Sequence, residues 1–190
     1  FPLFFFALGI GTSPLAAGAL KWSVAAGPSA GVYTSTSAGS TTPRLSGVGA
    51  LIAEIPMGAY SLETGLLLDY RRIGSATAGY TFTAGRVPLQ LRLWIGKWLG
   101  LSAGGYLTGV AGLFRTTRDG ATTNGSAADE SVNRLEFGAL ASADLNFEVG
   151  NSKMLFLAAR YYFGLLGGIA MTDTLHWREQ QILVGIRFFR

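Results

Sequence analysis

The chain has 190 residues, of which 49% are hydrophobic and only 14% charged, with 27 glycines, 12% aromatics and a formal net charge of +4. An average soluble domain carries roughly 25% charged residues, so a fold with much water-facing surface fits poorly, and the length suits a single domain. No cysteine is present, which excludes disulfides, thiolate metal sites and cysteine nucleophiles; the basic residues are scattered singly, which argues against nucleic acid as a partner.

Residues 1–20 carry no charge, and Lys21 is the first ionisable side chain. Residues 1–10 look like the apolar core of a secretory signal, and Ala17-Gly18-Ala19 like a small-residue cleavage site that would leave Leu20 first, although no basic stretch or initiator Met precedes them. The alternative is an ordered apolar arm, broken by Pro2 and Pro14, that lies against lipid or a partner subunit. A spanning helix ranks last, because the stretch only just reaches the ~20 residues required and contains two prolines and three glycines. The chain therefore divides into an apolar segment, 1–19, and a β domain, 20–190.

From residue 20 onward the signals are those of strands. A first strand reaches to about Tyr33 and is followed by a Ser/Thr/Gly/Pro loop at 34–44. A second occupies 45–55, and Pro56-Met57-Gly58 is a tight turn. In the third, Leu62, Thr64, Leu66, Leu68 and Tyr70 face one way and Glu63, Gly65, Asp69 and Arg71 the other. A loop at 74–79 leads to a fourth strand, 80–94, with Leu89, Leu91 and Leu93 opposite Gln90 and Arg92; residues 95–98 turn the chain into a fifth, 99–115. The longest polar segment, 116–133, contains Asp119-Gly120 and Asn124-Gly125, which favour turns. The sixth strand, 134–149, alternates apolar and polar residues with Leu140 as the lone exception, over about twice the usual strand length. A turn at 150–153, a seventh strand at 154–164, a loop at 165–177 and an eighth strand at 178–189 complete the chain.

Long connections thus alternate with short ones. That asymmetry is expected of a barrel with short periplasmic turns, longer outer loops and both termini on the periplasmic side of a bacterial outer membrane, and a soluble lipid-binding barrel has no reason for it. The predicted fold is all-β: an eight-stranded antiparallel up-and-down transmembrane β-barrel. Aromatics fall where interfacial girdles belong: Trp22, Tyr60, Trp94, Trp98 and Phe188 near the periplasmic ends, and Tyr33, Tyr70, Tyr80, Phe114 and Phe163 near the outer ends. On the same register Lys21, Glu54, Glu63, Asp69, Arg71, Arg92, Glu136, Asp144, Glu148, Arg160 and Arg187 share the inner face, six acids against five bases. The interior of eight strands is only wide enough to be filled by side chains, so these groups are expected to pair across the lumen. Outside, each Arg or Lys near the midplane would cost roughly 2–4 kcal/mol.

Several stretches resemble the small outer-membrane β-barrel proteins of the PorT-like or "outer membrane protein beta-barrel" type, relatives in architecture of the OmpA and OmpX barrels. They are Trp22-Ser23-Val24 leading into Gly27-Pro28-Ser29-Ala30-Gly31, the run from Leu62 through Asp69-Tyr70, Val87-Pro88-Leu89-Gln90-Leu91-Arg92, and the closing Ile182-Leu183-Val184-Gly185-Ile186-Arg187-Phe188-Phe189. The resemblance implies insertion by the outer-membrane assembly machinery, which reads an aromatic-ended last strand; here Arg190 follows Phe189. It specifies fold far better than function.

Catalytic signals are weak. One lipid A deacylase type uses a His with a Ser two positions on and a Glu, but the sole histidine, His176, is followed by Trp177 and Arg178. Asp119, Asp129 and Glu130 in the long loop could hold calcium, yet a solvated loop explains them better. Gly104-Gly105 and Gly167-Gly168 lack the lysine of a phosphate loop. The expectation is a non-enzymatic barrel without cofactor, surrounded by outer-membrane lipid, with a structural or interaction role and with residues 1–19 or the outer loops available to a protein partner. A narrow pore is the alternative, followed by a soluble lipid-binding barrel and a lipid A-modifying enzyme.

Overall fold

In a computed structural model the described residues are 19–35, 39–40, 44–74, 78–118, 121–125, 135–150, 152–166 and 175–188. The apolar segment 1–18, the Asp129-Glu130 pair, Asp119 and the Gly167-Gly168 pair lie outside them. Ten strands are formed: β1 (Lys21–Ser35), β2 (Gly39–Ser40), β3 (Arg44–Met57), β4 (Tyr60–Gly74), β5 (Ala78–Ile95), β6 (Leu99–Arg118), β7 (Ala121–Gly125), β8 (Leu135–Glu148), β9 (Lys153–Leu166) and β10 (Leu175–Phe188). Eight long strands pair antiparallel in chain order, and β10 returns to β1, with Trp22 opposite Phe188 and Val32 opposite Arg178. The eight long strands therefore close into a barrel whose wall has none of the free edges that an open sheet would expose. The short β2 and β7 fold back on β1 and β6. β7 and the extension of β6 to Arg118 take up part of the predicted 116–133 loop; Thr116 to Arg118 pair with Thr123 to Ala121, an arrangement that the β-branched threonines favour.

One end of the barrel is made by short turns. Gly58, Gly96 and Gly150 sit there with φ of 73°, 64° and 103°, a region that costs glycine nothing and other residues strain. Backbone bonds from Trp94 N to Ala59 O (2.8 Å) and from Asn146 N to Trp98 O (2.7 Å) tie these turns to neighbouring strands. The long connections leave from the other end.

Alternation decides which side chains fill the barrel. On β8 the sequence reads exposed-buried almost throughout, with Glu136, Ser142, Asp144 and Asn146 buried and Leu135, Phe137, Leu145 and Phe147 exposed. The exterior is a belt of Leu, Val, Ile and aromatic residues from every long strand; the interior is polar and charged. Leu140, the break in the alternation, points inward. It joins Ile52, Leu67, Phe156, Ala158 and Leu183 in an apolar patch inside the barrel. Glycines make room for large inner rings: a Cβ on Gly31 would collide with the Trp177 indole, and one on Gly138 with the Tyr106 ring.

Candidate functional site

Among the described residues, five arginines (Arg71, Arg86, Arg92, Arg160, Arg187) and six acids (Glu54, Glu63, Asp69, Glu136, Asp144, Glu179) are buried inside the barrel. Each reaches the lumen because strand parity puts it there, and their ion pairs fall into two sets at different heights.

The set nearer the short turns is built from β3, β4, β5, β8, β9 and β10. Arg92 is its hub, pairing with Glu54 at 3.0 Å and with Glu63 and Asp144. Arg160 meets Glu63 at 2.7 Å, and Arg187 stands 3.5 Å from Glu54 and 3.8 Å from Asp144. Three cations thus face three anions. Neutral donors and acceptors complete the set: Gln90 donates to Glu63, Arg187 donates to Ser23 Oγ (3.3 Å) and to Asn146 Oδ1 (3.1 Å), and the Ser102 and Ser142 hydroxyls share a hydrogen bond of 2.5 Å.

The set nearer the long loops holds two arginines and three acids. Arg71 contacts Asp69 (2.9 Å), Glu136 (3.5 Å) and Glu179 (3.4 Å), while Arg86 contacts Glu179 (2.6 Å) and Asp69 (3.3 Å). Neutral donors meet the surplus anion. Tyr106 Oη donates to Glu136 at 2.9 Å; Trp177 Nε1 and Gln181 Nε2 each donate to Glu179 at 2.6 Å. Arg86 lies 3.8 Å above the Tyr162 ring and Arg71 4.8 Å above that of Trp177, so each guanidinium also has a π face.

Of the predicted inner residues, Glu54, Glu63, Asp69, Arg71, Arg92, Glu136, Asp144, Arg160 and Arg187 are brought together in these two sets. Lys21 is half-buried at the short-turn rim, opposite Glu54 across β1 and β3. Glu148 is a correction: it is exposed at the last residue of β8. Its parity is inward, but at the barrel's lip water reaches it and no buried cation is needed. Trp94 is a second correction. It shares parity with Arg92 and points inward, donating from Nε1 to Glu54 and to Ser61 Oγ, both at 3.1 Å, beneath the Arg92 and Arg187 guanidiniums. Trp22, Tyr60, Tyr70 and Phe188 are on the exposed outer face, Trp98 is exposed in the turn before β6, and Phe163 is half-buried beneath Arg178. The side chains of Tyr33, Tyr80, Phe114 and His176 lie outside the described residues.

Two members escape the sequence reading, Arg86 and Glu179. Both obey the parity of residues already assigned on their strands, Arg92 and Arg187. Carrying those registers six and eight residues toward the long-loop end would have found them.

Among the described residues no group of three or more Asp, Glu or His side chains could hold a metal ion; each buried acid is met by at least one arginine. The Ser102 and Ser142 hydroxyls have each other and Gln90 as partners, and none of these is a general base. The arrangement fills the lumen with mutually neutralising charge.

No protein-family model matches the chain, and no curated protein matches it. Among solved structures, the fold is similar to Neisserial surface protein A (TM-score 0.52, 13% identity, 88% of this chain and 96% of that one). It is also similar to Ail, the attachment invasion locus protein of Yersinia pestis (TM-score 0.50, 12% identity, 88% and 98%). The architecture is that of the small eight-stranded outer-membrane barrels.

Proposed function

We propose that this chain is an integral outer-membrane protein whose barrel is a sealed, non-catalytic scaffold, with a structural or interaction role carried by its long loops or by residues 1–19. The supporting observation is the inverted partition of side chains: a continuous apolar exterior around a charged, internally paired interior. In water the exterior would be a far larger apolar patch than soluble monomers expose; in a bilayer it is the lipid-facing belt. Short turns at one end and long connections at the other support an orientation with both termini periplasmic and the loops outside. Insertion would then run through the outer-membrane assembly machinery, in keeping with the PorT-like patterns of the strands.

Fractionation of cells expressing the chain tests this reading. The expected result is recovery in the outer-membrane fraction, with protease added to intact cells cutting between β6 and β8 and sparing the short turns. Recovery as a soluble protein, or cleavage at the short turns, would overturn it.

A further inference from the structure

The short-turn mouth of the barrel contains a cavity of about 200 Å³. Lys21, Trp94, Asn146, Met154 and Arg187 line it from five strands, and Lys97 from the turn between β5 and β6. The five strand residues share the inward parity of their strands. The cavity therefore opens through the mouth and not through the lipid-facing wall.

Its lining is cationic. Among the described residues three cationic side chains line it and no acid does; Glu54 and Asp144 lie behind it, 3.5 and 3.8 Å from Arg187, and Glu54 is opposite Lys21. Asn146 supplies a separate indication: it is only 6% exposed, its Oδ1 accepts from Arg187 Nη1 at 3.1 Å, and its Nδ2 is a buried donor with no acceptor among the described residues. Buried donors are normally satisfied. Arg187 Nη2 likewise makes no hydrogen bond and stands 3.8 Å from Asp144. Two buried N–H donors beside two lysines suit an oxyanion, and three terminal oxygens with a double negative charge match them better than a carboxylate does. Trp94 and Met154 supply an apolar wall for the rest of such a molecule.

We infer that this mouth cavity is a binding site for a small organic phosphate, with the phosphoryl oxygens on Asn146, Arg187, Lys21 and Lys97 and the organic part against Trp94 and Met154. The ligand enters from the aqueous side. That this side is the periplasm rests on the orientation proposed above, which protease access tests separately; binding in detergent tests the cavity alone.

The probe is phenyl phosphate, titrated by calorimetry into the full chain in a non-ionic detergent, with inorganic phosphate, phenol and micelle-borne phosphatidic acid as comparisons. The expected result is saturable one-to-one binding of phenyl phosphate, weaker binding of inorganic phosphate and none of phenol. Asn146→Asp keeps the oxygen that accepts from Arg187 and places negative charge in the cavity; it is expected to weaken binding by about tenfold or more. Lys97→Glu, in an exposed turn where folding is not at stake, is expected to do the same. Absence of saturable binding, unchanged affinity in both variants, or binding of phosphatidic acid without phenyl phosphate would each overturn the inference.

Discussion

The two ion-pair sets solve one problem in different ways. Near the short turns three arginines face three acids, and charge is cancelled by charge, with Arg92 touching all three anions. Near the long loops two arginines serve three acids, and the remaining anionic demand is met by Tyr106, Trp177 and Gln181 as neutral donors, while aromatic rings cover the guanidiniums. A buried acid needs donors, and a phenol or an indole supplies one without adding a positive charge. The first set therefore depends on one hub, and the second is spread over several side chains.

Removing the hub should show the difference most strongly. Arg92→Met leaves Arg187 as the one arginine paired with Glu54 and Asp144 and Arg160 as the one paired with Glu63, and breaking a buried pair in this way costs about 3–5 kcal/mol. Urea titration of the barrel refolded in lipid vesicles is expected to show a loss in that range. In the second set, Arg86→Met leaves Arg71 still in contact with Asp69, Glu136 and Glu179. The same titration is expected to give a loss at or below about 3 kcal/mol, the lower end for a broken buried pair. Equal losses would remove the distinction between hub and mesh.

Much of this was legible in the sequence, and the failures share a physical cause. In the middle of each strand the outer side chains are apolar and the inner face is a packed charged lumen, so polarity reports direction; Glu63, Asp69, Arg92 and Asp144 are plain for that reason. Toward the strand ends both faces meet polar surroundings, and polarity loses its meaning. Arg178-Glu179-Gln180-Gln181 is polar throughout, yet only Glu179 and Gln181 are inside while Arg178 and Gln180 are exposed. Parity carried from the apolar centre of the strand still works there. At Trp94 residue type and parity disagree: a tryptophan near a strand end suits a girdle, but its position two residues after Arg92 turns it inward. Leu140 shows the converse, an apolar residue that the packed interior accepts. Which acid pairs with which arginine depends on heights and on strands far apart in sequence, and alternation carries no information on that.

This tryptophan gives the smallest and sharpest test. Trp94→Phe keeps a ring beneath the two arginines and removes the N–H shared by Glu54 and Ser61; the expected loss is about 1.5 kcal/mol, the lower end for a hydrogen bond to a charged group, because Glu54 keeps its arginines. Trp22→Phe, on the exposed outer face, is expected to change stability by no more than about 0.5 kcal/mol. The reverse order in a urea titration would return Trp94 to the girdle.

The central claim is that the lumen is closed by its own ion pairs, and planar-bilayer recording of the purified, refolded wild-type chain tests it most directly. The account predicts a silent membrane with no steady ohmic current at moderate voltage. A stable, reproducible conductance from the wild-type barrel would contradict it and make the chain a pore.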